Sequence, residues 1–151
     1  MKVITTFLIS FICIQLYACN KNEDIEPANN SNTISNTDSM KITIGTNIFK
    51  ASLYDNATAT AFKAKLPLTV DMSELNRNEK YFDLPNILPT NASNPGTIQT
   101  GDVMLYGSNT LVLFYQTFST SYNYSRIGRI ANPAGLADAL GLGNTTVKFE
   151  L

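Results

Sequence analysis

Beyond Met40 the chain repeatedly alternates apolar and polar residues with a period of two, the pattern of strands that bury one face. Lys41-Ile-Thr-Ile44 alternates, Gly45-Thr-Asn47 interrupts, and Ile48 to Leu53 resumes, which predicts a β-hairpin. The period then changes. Asn56 or Thr58 can accept from the free amides at a helix start, the alanines and Phe62 supply an apolar face, and Pro67 stops the helix. Leu68, Val70 and Met72 alternate as a strand again. Between Ser73 and Thr100 the pattern is irregular, and Pro85, Pro89 and Pro95 predict loops because proline brings no N–H to a ladder. Gly101-Asp102 reads as a turn into a strand at Val103–Tyr106, and Gly107-Ser-Asn109 as a second turn into the apolar strand Thr110–Gln116. Arg126–Ile130 predicts a further strand, Pro133–Leu140 a short helix ended by Gly141, and Val147, Phe149 and Leu151 a final strand. Together these predict a mainly β fold with two short helices, a closed or nearly closed barrel, since closure leaves no unpaired edge.

The N-terminal part follows different rules. Lys2 is a positive start, Phe7 to Tyr17 is a short apolar run, and the run ends in Leu16-Tyr17-Ala18-Cys19. A bilayer span needs about 20 apolar residues, so this run suits a signal peptide, residues 1–18. Leu-Tyr-Ala-Cys resembles the lipobox of bacterial lipoproteins, which implies lipid on Cys19, a membrane anchor and a place in the cell envelope at the outer membrane, periplasmic or surface-exposed. An ordinary secretory signal with an incidental cysteine is the alternative. Residues 19–39 are rich in Asn, Ser, Thr and acidic residues and predict a flexible tether, leaving 40–151 as the folded domain. Asn20-Lys21-Asn22-Glu23-Asp24 resembles the signal that follows the cysteine in some surface-displayed lipoproteins, and reads equally as a solvated linker.

Composition narrows the chemistry. A length of 151 residues with 44% hydrophobic residues suits one core that needs no metal or disulfide. A formal charge of -1 without basic runs argues against a nucleic-acid partner. Cys13 and Cys19 both fall in the targeting segment, and the chain has no histidine. Ser-His-Asp and Cys-His nucleophiles and Cys/His zinc sites are therefore excluded, and no cofactor is expected. Asp71, Glu74, Glu79, Asp83 and Asp102 lack EF-hand spacing and read as surface groups or turn acceptors. Gly141-Leu-Gly143 follows a helix instead of opening one and lacks the Gly-Lys-Ser/Thr ending of a phosphate loop.

Chemistry concentrates in the segment FYQTFSTSYNYSRIG from Phe114 to Gly128. Leu111, Leu113 and Phe114 belong to a strand apolar enough to be core. Tyr115, Phe118, Tyr122 and Tyr124 interleave with Gln116, Ser119, Thr120, Ser121 and Asn123, a mixture that suits either the rim of a recognition groove or a plain loop. Arg126 follows Tyr122 and Tyr124, whose rings could stack on its guanidinium. Arg129 reads as an outward strand residue.

The succession Ile44-Gly45…Phe49, Leu66-Pro67-Leu68, Asn78-Glu79-Lys80-Tyr81, Gly101-Asp102-Val103, Leu113-Phe114-Tyr115 and Arg126-Ile127-Gly128-Arg129-Ile130 resembles the small bacterial cyclophilin-like proteins, compact β-barrels, over Met40 to Leu151. The resemblance places LVLFYQTF where a cyclophilin strand lines the proline pocket, and adds Tyr81 to the groove candidates. It also implies peptidyl-prolyl isomerisation. That reaction crosses a barrier of about 20 kcal/mol set by amide resonance, and an arginine donating to the prolyl nitrogen favours the pyramidal transition state. The family's arginine lies in a Phe-His-Arg motif that this chain lacks, as it lacks tryptophan. Arg77, near Glu79-Lys80-Tyr81, and Arg126 are the catalytic candidates. Two functions follow: a noncatalytic module that binds an extended peptide or small ligand, or a diverged isomerase.

Overall fold

The computed structural model describes residues 34–151. The expected signal peptide, residues 1–18, and Cys19 lie outside the described residues. Ten strands and two helices follow in order: β1 Ile34–Ile44, β2 Asn47–Tyr54, α1 Ala57–Lys63, β3 Leu68–Leu75, β4 Glu79–Asp83, β5 Thr97–Ile98, β6 Asp102–Tyr106, β7 Thr110–Phe114, β8 Phe118–Ser119, β9 Tyr124–Ile130, α2 Leu136–Leu140 and β10 Thr145–Glu150. Eight of them close into an antiparallel barrel in the order β1-β10-β3-β4-β7-β6-β9-β2, and β5 pairs with β8 as a separate ribbon. β1 begins at Ile34, upstream of the expected Met40 boundary, and its register shifts between Ile34 and Ser39 before regular pairing starts.

The hairpin, both helices and the late strands match their sequence signals. Asn56 is the cap of α1, its side chain accepting from the Ala59 amide at 2.8 Å. The helix ends at Lys63, before Pro67. Its Phe62 meets Phe149 of β10 edge-on, with ring centroids 5.7 Å apart inside the core. α2 adds Leu136 and Leu140 to the same core.

The irregular stretch after Ser73 was expected to be loop, and here the structure differs. β3 continues to Leu75, turns through Asn76 and Arg77, and returns as β4, a strand inside the barrel that pairs with β7 on its other side. Both turn residues have positive φ, 55° and 60°, the two left-handed positions of a tight hairpin turn. Asparagine tolerates this conformation, but arginine there is atypical, so the turn carried a weak signal. The three prolines all fall after β4, in the segment that runs from Asp83 to β5. That segment is tied down by the Leu84 amide donating to the Asn109 carbonyl and the Thr58 hydroxyl donating to Pro89, both at 2.8 Å.

Alternation along the strands divides the side chains into an inner and an outer set. Leu111 and Leu113 of β7, Val103 and Leu105 of β6, and Phe82 of β4 join the interior. Val112 and Phe114, Met104, Tyr124 and Tyr81 project outward and form a second apolar cluster covered by Ile98 and Phe118 of the β5–β8 ribbon. The continuous apolar run of β7 is thus explained by burial on both faces. Closure has one tight point: a Cβ on Gly128 would lie 2.8 Å from the Ser52 carbonyl oxygen, so only glycine fits where β9 meets β2.

Candidate functional site

The outer cluster continues into a groove of about 540 Å³. Its floor is set by register. On β4, Glu79, Tyr81 and Asp83 occupy alternate positions and point the same way, opposite Phe114, Val112 and Thr110 of β7. Tyr106 of β6 and Tyr124 of β9 are Cα partners and close one side. The Phe118–Tyr122 segment and the β3–β4 turn form the rims. Aromatic contacts fix this wall: Tyr106 meets Tyr122 edge-on at 6.0 Å and Tyr124 at 5.6 Å, and Phe114 lies beneath, 5.5 Å from Tyr124 and 5.8 Å from Phe118.

The polar groups of the groove are hydroxyls, two asparagine amides and two carboxyls. Among the described residues its lining contains the carboxylates of Glu79 and Asp83 and no basic side chain. Asp83 accepts from the Thr110 hydroxyl at 2.6 Å. Glu79 is half-buried and takes no hydrogen bond or ion pair from the described residues. Burial, reinforced by the nearby charge of Glu74, pushes its carboxyl up to about 7. Burial and then the charge of Glu79 push the Tyr124 hydroxyl up to about 12. Asn78, also in the lining, has a buried side-chain oxygen without a partner among the described residues.

The candidates from sequence are sorted by strand direction. Tyr81, Phe118, Tyr122 and Tyr124 line the groove and Phe114 supports it from below. Tyr115 points the other way, into the interior, where its hydroxyl donates to Glu74 at 2.8 Å. With Gln116 and Arg77 it borders a separate cavity of about 450 Å³ beside α2. Arg126 shares the outer face but is drawn off by Tyr54, its guanidinium 5.6 Å from that ring and 3.4 Å from the hydroxyl. Arg129 projects outward, as expected, and pairs with Asp102 at 2.9 Å. Of the two expectations for Asp102, surface group or turn acceptor, the structure takes the second: it is fully buried and also accepts from the Gln99 amide at 2.8 Å. Sequence reasoning missed Glu79, Asp83 and Tyr106 as groove residues. Period-two spacing on β4 would have found the first two once that strand was recognised.

The interior holds a second polar constellation. Lys80, next to Glu79 but on the opposite face, is wholly buried. It ion-pairs with Glu74 and donates to the carbonyls of Gly141 at 2.9 Å and Gly143 at 2.6 Å, with its ammonium 5.4 Å over the Tyr115 ring. Burial raises the Glu74 carboxyl, but hydrogen bonds from Lys80 and Tyr115 outweigh it and hold the group below its ordinary value.

A sequence profile of the Cyclophilin-like family matches residues 42–150. Among solved structures the chain is similar to the solution structure of the hypothetical protein AF2241 from Archaeoglobus fulgidus, with a TM-score of 0.50 and 18% identity, over 82% of this chain and 98% of that one. At that identity the likeness concerns the fold. No curated protein matches the chain.

Proposed function

The chain belongs to the cyclophilin-like family over residues 42–150, and from that footing we propose that it is a noncatalytic binding module, carried on a lipid-anchored exported protein of the outer membrane, that holds an extended peptide or small ligand in the outer-face groove. One observation carries this reading: the groove offers four tyrosines, Phe118 and two carboxylates, while Arg77 borders a different cavity and Arg126 is held by Tyr54. Tyrosines bind flat apolar groups and keep a polar tip at the rim. Proline isomerisation in the family uses a guanidinium donor aimed at the prolyl nitrogen, and the groove lining contains no arginine or lysine among the described residues. The anchor rests on the lipobox at Leu16-Tyr17-Ala18-Cys19.

Two experiments test it. A coupled proline-isomerisation assay on the full chain in detergent should show no acceleration above the buffer rate. Turnover that disappears in Arg77→Ala or Arg126→Ala would establish the diverged isomerase instead. Labelling of growing cells with a radioactive fatty acid should mark the wild type and spare Cys19→Ala, and equal labelling of both would remove the anchor.

A further inference from the structure

The groove has a sign as well as a shape. Its polar lining consists of two carboxylates, hydroxyls and two asparagines, and among the described residues no cation neutralises it. Glu79 stands between Tyr81 on its own strand and the Asn78 oxygen that has no partner among the described residues, and its charge is felt by Tyr124 across the groove. Asp83 lies at the far end of the same strand, roughly 13 Å away at strand spacing, where Thr110 already serves it. Aromatic faces attract a cation through the negative charge on their π-surface, and a partly desolvated carboxylate strengthens the attraction at the same spot. The apolar surface leading away from Glu79 over Tyr81 and Val112 suits a hydrocarbon chain.

Resting on the binding reading above, we propose that the groove selects an organic cation: an ammonium seated at Glu79 between tyrosine faces, carried on an apolar stem that lies along Tyr81 and Val112. A free alkylamine and the lysine side chain of an extended peptide share this chemistry. Anions are disfavoured at the same place, since a carboxylate or phosphate would meet the like charge of Glu79.

The chain offers its own probe. It has seven tyrosines and no tryptophan, and four of the tyrosines line the groove, so tyrosine fluorescence reports occupancy. The full chain, held in a maltoside detergent, is titrated with hexylammonium, hexanol and hexanoate at about pH 8.5, where Glu79 is ionised. Hexylammonium should bind about tenfold tighter than hexanol, with hexanoate the weakest. Glu79→Gln should abolish the advantage of the amine while keeping hexanol binding, and Asp83→Asn should reduce it less. A short lysine peptide compared with its norleucine counterpart distinguishes a peptide ligand from a free amine. Should Glu79→Gln fail to fold, the wild-type ratio at about pH 5.5 decides, because protonated Glu79 should bring amine and alcohol close together. The titratable groups near Glu79 do not change in that window: Glu74 on β3 is held low, and the hydroxyls of Tyr115, just past β7, and Tyr124 on β9 are pushed up to about 12. Asp83→Asn removes any share from the other carboxylate of the lining. Equal affinity for amine and alcohol in the wild type at about pH 8.5, or a preference for hexanoate, overturns the cation assignment and leaves a binding groove. No fluorescence change with any of the ligands overturns both readings.

Discussion

Glu79 and Lys80 are neighbours in sequence, yet they belong to two regions built on opposite principles. On the inner face, Lys80, Glu74, Tyr115 and the carbonyls of Gly141 and Gly143 satisfy one another. On the outer face, Glu79 has aromatic neighbours and no partner among the described residues. Both regions draw on the same hairpin and similar residue types. The difference is satisfaction: a fully paired network ties β3, β4, the residue after β7 and the turn after α2 into one structure, whereas unpaired groups along a groove leave interactions for a ligand to complete.

The largest effect should come from breaking the inner network. Lys80→Ala takes the only cation from the Glu74 carboxylate in this network and leaves two backbone carbonyls without their donor, so it should cost about 3 kcal/mol, seen as a large fall in the urea midpoint. The double variant Lys80→Met, Glu74→Gln should be less destabilised than Lys80→Met alone, because it leaves no uncompensated charge. If Lys80→Ala unfolds at the wild-type midpoint, the network contributes little and the contrast with the groove fails.

The two carboxylates of the hairpin should also respond to pH with opposite signs. Glu74 is held below its ordinary 4.5, so its contribution is present above that value and is lost as pH falls through its folded-state value. Glu79 is raised from 4.5 to about 7. The folded state therefore holds this proton more tightly than the unfolded chain does, and stability declines as pH rises from about 4.5 to about 7. Partial exposure limits the size, and Glu79→Gln should remove a decline of about 1 kcal/mol between about pH 5 and pH 8. Thermal melts across that range measure it, and parallel curves for wild type and variant would show that Glu79 is solvated like any surface acid. Comparable in size or smaller, Tyr115→Phe should lose about 1 kcal/mol with the bond to Glu74 while leaving groove affinity untouched, since Tyr115 faces inward. Weakened ligand binding in that variant would show that the two faces communicate.

Much of this was legible in the sequence where one periodicity governs one element. The β1–β2 hairpin, α1 with Asn56 at its cap, β7 and β9 follow from alternation and breakers, and the family follows from motifs spread along the chain. β4 was not legible, because its alternating residues are Glu79, Tyr81 and Asp83 outside and Lys80 and Phe82 inside, with a lysine in a core position and charges where the groove lies. Polarity marks faces only when burial excludes charge, and both faces of β4 violate that rule. The same failure hid half the site. The aromatic segment was visible, but excluding Tyr115 from the groove required knowing that odd-numbered residues along β7 and just past it face inward. The pairing of Arg126 with Tyr54 lies seventy-two positions away in sequence and left no local sign.

Tyr122 offers the sharpest separation of the two regions with the smallest change in stability. Its side chain is 61% exposed, it lies outside both apolar clusters, and its ring contact is the edge-to-face pair with Tyr106 at the groove wall. Removing it deletes little buried surface, so Tyr122→Ala should shift stability by no more than about 0.5 kcal/mol. It also removes one aromatic face from the cation's surroundings, which should weaken hexylammonium binding by roughly threefold to tenfold while hexanol binding falls less. A residue that contributes to binding and hardly to folding is what an unsatisfied region should contain, in contrast to Lys80. A loss of more than about 1 kcal/mol would instead make Tyr122 a structural clamp on the Phe118–Tyr122 segment, and the groove wall would then belong with the inner network as packing.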